Sequence, residues 1–451
     1  MPAPAPPPQC PPPPPPPPPP TPLISPPPPL ISPPPPPPTP LISPPPKPTK
    51  PKPPSPYKFE NKALERAFYV IKEFRKKITY DPFGITKTWR GPDVCSYKGH
   101  YCEAPPKMKE RRVASIDFNG YAFGNKDHNL PLKGFIDNLP DLAIFHANSN
   151  NFTGAIPRLS HLKYLYELDL SNNKIPGPFP LQVLKLDLSF LDIRFNLFTS
   201  NIPPQLFTLD LDVLFLNNNQ FPPQPIPDNL GSTRVLYLTL ANNQFTGTIP
   251  KTLGTGNSSL ILKEALFLNN KLSGFLPYQI GLLKRATVLD FGGNLITGPI
   301  PMSFGCLSSM ELLNFGRNLL CGEVPEVLCS EQQLPRLVNL TLSFNYFTKV
   351  GPMCRELVKR RVVDLKMNCV EDLKDQRSAE ECALFFHKPR RCDHEQEWMK
   401  IIPCSIKNRE NRGVGSSGIS GTGDINGGRP SSASSAYSAL NAGHGHHLHH
   451  L

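Results

Sequence analysis

The sequence has 451 residues, of which 61 are proline and 30 are glycine, and its formal net charge is +12 at pH 7. This proline content excludes a chain that is folded throughout into compact cores of ordinary composition. The sequence also contains no run of about 18 apolar residues, so it predicts no membrane-spanning helix.

The first segment, residues 1–56, is mostly proline and contains LISPPP three times, at 23–28, 30–35 and 41–46. Proline fixes φ near the polyproline II value, and the segment has little apolar surface to bury. We therefore predict a disordered, extended proline-rich arm over 1–56. Residues 408–451 are rich in Gly, Ser and His, and they predict a second disordered segment.

Positive charge is concentrated after the arm. Residues 46–112 hold 17 Lys and Arg against seven acidic residues, a net of +10, whereas residues 135–350 hold 14 against 15. A basic surface attracts polyanions in general, and a merely solvated charged face is an equally open interpretation.

Residues 57–112 predict an N-terminal cap. Leu64, Phe68, Ile71 and Phe74 recur at helical spacing within 60–78, so one apolar stripe can cover the open end of a repeat array. Pro82 ends this helical pattern. Cys95 and Cys102 are spaced for a small disulfide that would hold the cap together.

A repeat of 23 to 27 residues occupies 113–350, and its copies align on an asparagine. The aligned residues are Asn150, Asn173, Asn196, Asn219, Asn243, Asn270, Asn294, Asn318 and Asn345. Leucines three and five positions before the asparagine predict a short strand with one buried face. The asparagine amide can satisfy backbone groups where the chain leaves that strand. The pattern predicts an α/β leucine-rich-repeat solenoid of about ten repeats, with a strand-lined concave face.

Cysteines gather at the end of the array, where residues 351–407 predict a C-terminal cap. The expected disulfide set there is Cys329, Cys354, Cys369, Cys382, Cys392 and Cys404, with fifteen pairings open. Cys306 and Cys321 are interpreted as buried thiols or as a pair with each other. Cysteines collected at both ends favour an oxidising compartment.

Three sequons, at Asn151, Asn257 and Asn339, predict glycosylation and also favour secretion. The first residues show neither a basic start nor an apolar run, so no secretory signal is visible, and we expect an incomplete start rather than a cytosolic protein.

The repeat motif NQFTGTIP at 243–250 and the cap sequence at 64–102 resemble those of the plant leucine-rich repeat extensins. The similarity runs from about Lys58 to Cys392. It implies a protein secreted to the cell wall that binds small, basic, cysteine-rich rapid alkalinization factor peptides, meets demethylated pectin through its basic surface, and contributes to wall integrity and growth control. It also implies a homodimer. In that family the Ser-Pro runs follow the repeats, whereas here they precede them, and no tyrosine precedes Tyr57 to support extensin cross-linking.

Residues four, two and one before each asparagine are expected to be exposed on the concave face. Carboxylates beside aromatic rings there suit a basic ligand with an apolar anchor, although each residue could equally serve to cover the sheet. The predicted ligand-binding residues are His146, Asp169, Asp192, Arg194, Phe195, Phe215, Asn217, Asp290 and Arg317.

No nucleophile with a matching base is evident, and a flexible His-rich tail offers no fixed metal geometry. We therefore predict no enzyme, no metal, no cofactor and no nucleic-acid partner. Two other hypotheses stay open: a defence protein that inhibits a microbial polygalacturonase, and an intracellular scaffold whose arm binds polyproline-recognising domains.

Overall fold

The computed structural model describes residues 57–387 and Cys404. The predicted arm over 1–56, Cys392 and the segment predicted to be disordered over 408–451 lie outside the described residues.

A twelve-stranded sheet runs the length of this part of the chain. Its first two strands pair antiparallel and every later pair is parallel. In spatial order the strands are His100–Glu103, Arg112–Asp117, Ile144–His146, Glu167–Asp169, Phe190–Asp192, Val213–Phe215, Tyr237–Thr239, Glu264–Leu266, Val288–Asp290, Leu312–Asn314, Asn339–Thr341 and Val363–Asp364. The spatial order follows the chain order, as a solenoid requires.

A second sheet of six short strands lies after the asparagines of the later repeats. Its strands are Gln224–Pro225, Phe245–Gly247, Lys271–Phe275, Leu295–Gly298, Leu319–Val324 and Tyr346–Val350. Two further pairs join Leu130–Pro131 to Phe152–Thr153 and Pro176–Gly177 to Leu197–Phe198.

Short 3₁₀ helices and four α-helices complete the described chain. The 3₁₀ helices are Ile85–Thr88, Val94–Ser96, Ile136–Asn138, Leu181–Lys185, Pro204–Thr208, Asp228–Ser232, Lys251–Gly254, Tyr278–Leu282, Met302–Cys306 and Glu326–Leu328. The α-helices are Lys62–Lys77, Ser258–Ile261, Pro352–Lys359 and Ala379–Phe386. Strands and 3₁₀ helices alternate along the repeats, which confirms the leucine-rich-repeat architecture.

The interior asparagines form the predicted ladder. In one repeat, the Nδ2 of Asn173 donates to the carbonyls of Ala147, Leu170 and Ser171 at 2.8, 3.1 and 3.0 Å. Its Oδ1 accepts from the amide of Phe152 at 3.0 Å. One buried side chain therefore satisfies backbone groups of its own repeat and of the repeat before it.

The ladder continues to Asn368, which the alignment of nine copies missed. Its Nδ2 donates to the carbonyls of Leu342 and Leu365, and its Oδ1 accepts from the amide of Phe347. The ladder therefore extends beyond residue 350.

The N-terminal helix covers the open end of the core. Asn61 caps it, since its Oδ1 accepts from the amides of Ala63 and Leu64 at 3.0 Å each. Its stripe is buried, and the ring of Phe74 stacks on Phe135 with centroids 3.8 Å apart. The apolar spacing of the sequence thus corresponds to a buried helix face.

Disulfides fix both ends. Cys95 is bonded to Cys102 in the N-terminal cap. At the other end Cys329 pairs with Cys354, and Cys369 pairs with Cys382.

The interpretation of Cys306 and Cys321 as thiols or as a mutual pair is wrong. Cys306 is bonded to Cys404, 98 residues away, and Cys321 is also disulfide-bonded. Cys404 therefore does not pair within the expected set of six. The alternation of strand and turn gives no sign of this long-range pair.

Candidate functional site

The concave face is built by the strand register. Each three-residue strand buries its middle residue and presents its first and third residues on the face, as the buried Leu168 and Leu191 show. One row across five neighbouring strands contains Asp117, His146, Asp169, Asp192 and Phe215. His146, Asp169 and Asp192 therefore lie side by side on three neighbouring strands.

His146 forms an ion pair with a residue that the sequence had not singled out. Its Nε2 lies 2.8 Å from the Oε2 of Glu167, and both side chains are largely covered. Burial opposes the charged imidazolium, but the hydrogen bond and charge of Glu167, with the charges of Asp169 and Asp117, outweigh it and raise the pKa of His146.

Asp192 lies beneath the face rather than on it. It is 0% exposed, its Oδ1 accepts from the amide of Arg194, and its Oδ2 lies 2.9 Å from the Nε of Arg194. Burial raises the pKa of Asp192 to about 8, and the charge of Asp169 acts in the same direction, against the opposing effects of Arg194 and His146.

The expectation that Asp169 and Asp192 are exposed is wrong. Asp169 is only 7% exposed, and its Oδ1 accepts from the amide and the hydroxyl of Ser171 at 2.8 and 2.7 Å. Each carboxylate is instead engaged within its own repeat, Asp169 by Ser171 and Asp192 by Arg194. Their oxygens serve mainly to hold this part of the face together.

Arginine and aromatic side chains form the accessible surface of this region. The guanidinium of Arg194 lies over the ring of Phe215, with its carbon 4.9 Å from the ring centroid. Phe190 contacts Phe215 edge to face at 6.4 Å between centroids. Phe195 is 47% exposed, and Asn217 donates from its Nδ2 to the Oδ1 of Asn218.

Asp290 and Arg317 lie farther along the array and do not join this group. Two oxygens of Asp290 accept from the amide of Gly292 at 2.8 Å and from the Nδ2 of Asn314 at 3.0 Å. Burial raises the pKa of Asp290 against the effect of these two hydrogen bonds. The guanidinium of Arg317 lies over the ring of Phe344 at 4.4 Å.

The three sequons have different surroundings. Asn257 is exposed and donates to the carbonyl of Ser232. Asn151 is half-buried. Asn339 is the first residue of a concave-face strand, and its Oδ1 accepts from the hydroxyl of Thr341 at 2.8 Å. Glycosylation at each of them stays a prediction.

The net positive charge of the described chain is concentrated in the N-terminal cap. Residues 57–112 contain 14 Lys and Arg and seven acidic residues, a net of +7. Lys62, Arg66, Lys72 and Lys76 are exposed on the first helix. The cap also encloses His100, whose pKa burial lowers to about 3.

The described residues hold neither a metal cluster nor a membrane-spanning helix. Among residues 57–387 and Cys404, no group of three or more His, Cys, Asp or Glu side chains could hold a metal ion. In the same part of the chain, no helix combines the length and the apolar character needed to cross a bilayer.

About half of the chain is similar to curated plant proteins, two of which illustrate the match. Leucine-rich repeat extensin-like protein 2 of Arabidopsis thaliana is 42% identical over 244 residues, which is 52% of this chain and 30% of that protein. Leucine-rich repeat extensin-like protein 6 of the same plant is 40% identical over 239 residues, 52% of this chain and 49% of that protein. The chain is similar to leucine-rich repeat extensins.

The resemblance seen in the sequence is thus confirmed, and the matched part spans less than half the length of these extensin-like relatives. No protein-family model matches the chain.

Solved structures share the fold of the described chain. The ectodomain of the Arabidopsis receptor kinase GASSHO1/SCHENGEN3, in complex with CASPARIAN STRIP INTEGRITY FACTOR 2, is 27% identical with a TM-score of 0.56, over 68% of this chain and 36% of that one. A plant ice-binding protein is 26% identical with a TM-score of 0.52, over 71% of this chain and 96% of that one. A receptor ectodomain and an ice-binding protein thus differ in function although they share this fold, so the function of this chain must be argued from the concave face itself.

Sequence reasoning missed Glu167 and Phe190 on the concave face. Both stand six residues before an asparagine, which is the first strand position. The same alternation that selected the positions four and two before the asparagine also predicts this one. Including the position six before the asparagine would have identified both residues.

Proposed function

We propose that this chain is a secreted cell-wall protein whose concave face binds an extracellular peptide of the rapid alkalinization factor class. One observation carries the proposal: Arg194, held by the buried Asp192, lies over the ring of Phe215 on the next repeat, and the adjacent Phe195 is exposed. Rigid aromatic and arginine side chains at the centre of a surface are typical of binding hot spots.

Similarity supports the class of ligand. The relatives are extensin-like proteins, and a structurally similar ectodomain was solved with CASPARIAN STRIP INTEGRITY FACTOR 2. The disulfides at both ends fit an oxidising extracellular compartment.

Polysaccharide binding is assigned to a different surface. The basic N-terminal cap suits demethylated pectin, because exposed lysines and arginines attract a linear polyanion at low ionic strength. This contact should weaken as salt is added, whereas binding through Phe195 should depend little on salt.

The test is a calorimetric titration of the secreted full chain with a panel of rapid alkalinization factor peptides. Phe195→Ala should weaken binding roughly tenfold, since a central aromatic anchor is worth about 1–2 kcal/mol or more. Phe83→Ala is the matched control, because Phe83 is also exposed but lies in the cap. Phe195 is a better target than Asp192, whose replacement alters a buried network.

The outcomes separate the competing functions. Binding that is lost only in Phe195→Ala supports a peptide-binding concave face. If no peptide binds and the protein instead inhibits a microbial polygalacturonase in the same assay series, the defence hypothesis replaces this proposal. Mass photometry of the same sample tests the predicted homodimer.

A further inference from the structure

One of the three sequons forms a strand of the concave face. Asn339, Leu340 and Thr341 are one three-residue strand of the twelve-stranded sheet. Leu340 is buried, so Asn339 and Thr341, the first and third residues of the strand, face the concave side. The other two acceptors, Asn151 and Asn257, lie outside this sheet. A glycan on Asn339 would therefore stand on the surface that the fold presents to ligands.

The amide group of Asn339 is oriented by its own sequon. Its Oδ1 accepts from the hydroxyl of Thr341 at 2.8 Å, which holds the oxygen end of the amide against the same strand. Its Nδ2 makes no hydrogen bond to the residues that the structure describes, and the side chain is half-buried, not enclosed. In an N-glycoprotein this nitrogen is the atom that bears the sugar. The attachment atom is thus available on the concave side of the sheet.

Exposed apolar side chains flank Asn339. Leu312 is its register partner on the preceding strand and is 37% exposed. Val338, the residue before Asn339, is 71% exposed. Val288 continues the row beyond Leu312 and is half-buried. Contiguous exposed apolar side chains often mark a surface that another group covers.

A glycan attached at Asn339 has the chemistry to cover this patch. Leu312 is on the adjacent strand, about 4.8 Å from Asn339 at ordinary strand spacing. The first sugar is therefore within contact distance of Leu312 and of Val338. A pyranose ring has an apolar C–H face, which packs on such side chains, and hydroxyl groups around its rim, which stay in water. The sequon thus supplies both the attachment point and the covering group.

The place of Asn339 along the sheet decides what a glycan there would do. In the sheet of the described residues, one strand, Val363–Asp364, follows that of Asn339. The strand that ends at Asp192 lies six strands earlier, roughly 30 Å away along the sheet. A glycan at Asn339 therefore covers the C-terminal end of the face and leaves the Arg194 region open.

We propose that Asn339 carries an N-linked glycan, which lies over Leu312 and Val338 and closes the C-terminal end of the concave face to ligands. Glycan transfer joins C1 of the first sugar to the Nδ2 of Asn339. The same step breaks the bond between C1 and the diphosphate of a lipid-linked oligosaccharide donor, and one amide proton leaves with the lipid diphosphate. This inference rests on the proposed secretion of the chain, because that donor belongs to the secretory pathway.

The first test is peptide mass spectrometry of the full chain, expressed in plant cells behind a secretion signal. Asn339 should carry a glycan in most molecules. Thr341→Ser should retain the glycan because serine also completes the sequon, whereas Thr341→Ala and Asn339→Gln should lose it. An unoccupied Asn339 in the secreted protein overturns the inference.

The second test locates the glycan by hydroxyl-radical footprinting. Oxidation of Leu312 should rise about twofold or more from the glycosylated Thr341→Ser protein to the unglycosylated Thr341→Ala protein, because a bulky group is removed from above it. Oxidation of Leu295, which is exposed on the second sheet, should not change. Asn257→Gln removes a glycan acceptor outside the concave face and should leave Leu312 unchanged.

Two routes keep this test valid if Thr341→Ala does not fold. Asn339→Gln gives a second unglycosylated protein that keeps the Thr341 hydroxyl, and thermal unfolding shows whether each variant is folded. Enzymatic removal of the glycan from the folded protein gives a third form without any change introduced during folding. Equal oxidation of Leu312 in the glycosylated and unglycosylated forms means that the glycan projects away from the face, and it overturns the inference.

Peptide titration of the same two forms separates this inference from the proposed function. A rapid alkalinization factor peptide that binds through Phe195 should have the same affinity with and without the glycan. If such a peptide binds while Asn339 is unoccupied or Leu312 is unshielded, only the glycan assignment is wrong. If Asn339 is occupied and Leu312 is shielded while no such peptide binds, the proposed ligand class is wrong and the glycan assignment stands.

Discussion

Two regions of the concave face differ in how their carboxylates are partnered. Around Arg194, carboxylates are buried and internally paired, and the accessible surface is aromatic and cationic. Around Asp290, a half-buried carboxylate accepts from the amide of Gly292 and the Nδ2 of Asn314 and has no cationic partner among the described residues. Both regions belong to the same asparagine ladder and the same twelve-stranded sheet. The asparagine ladder and the strands fix the positions of the side chains. The residues at the variable positions decide which charges face outward.

The largest expected effect on stability comes from disrupting the asparagine ladder that the two regions share. Asn270→Leu removes three bonds from Nδ2, to the carbonyls of Leu240, Phe267 and Leu268, and one bond to the amide of Phe245. Buried polar groups left without partners should lower the free energy of unfolding by about 3 kcal/mol or more. Denaturant unfolding measures this change.

Asn269→Gly is the control for the ladder variant. Asn269 is exposed and has φ +52°, a conformation that glycine accepts without strain. If Asn270→Leu costs no more than Asn269→Gly, the ladder does not support the frame in the way proposed.

A second prediction tests the buried carboxylate of the Arg194 region through pH. The pKa of Asp192 is raised to about 8, so the folded state holds its proton more tightly than the unfolded state. The resulting stability is complete below about pH 4 and is lost as the pH rises toward 8, with a slope of up to about 1.4 kcal/mol per pH unit. Asp192→Asn should flatten the decline in unfolding curves recorded from pH 4 to 9.

The acidic side of the same curves provides an internal control. Burial lowers the pKa of His100 to about 3, so the cap loses stability as the pH falls below about 6.5. That loss has the opposite direction and should be unchanged in Asp192→Asn. An alkaline decline that persists undiminished in the variant would refute the assignment to Asp192.

The smallest expected effect is a difference in stability between two variants, in which one arginine of each region is replaced. At pH 8.5, Arg194→Gln leaves the buried Asp192 without its cation and should cost about 1–2 kcal/mol, less than a fully buried pair because Asp192 can take up a proton. Arg317→Gln loses only a contact with the Phe344 ring and should cost less than about 1 kcal/mol. Equal costs in thermal unfolding would remove the distinction between the two regions.

The repeat architecture was predictable because the residues that specify it are close together in the sequence and recur in each repeat. Leu168, Leu170 and Asn173 recur at fixed offsets, and a short strand with a buried face is the structure that satisfies them. The cap helix followed from the apolar spacing of Leu64, Phe68, Ile71 and Phe74 in the same way.

The electrostatics of the site were not predictable, because they depend on neighbours from other repeats. The pKa of Asp192 depends on the charges of Asp169 and His146, which come from the two preceding strands. The partner of His146 is Glu167, 21 residues away, and the partner of Cys306 is 98 residues away. Spacing within one repeat contains no information about contacts of this kind.

The bond between Cys306 and Cys404 has a consequence for proteolytic processing. A single cut within 388–403 would leave the part of the chain after the cut attached to the repeats through sulfur. Such a product would migrate as one species without reductant and as two with it. Release of the carboxyl-terminal segment would then depend on the thiol chemistry of its surroundings and not on the protease alone.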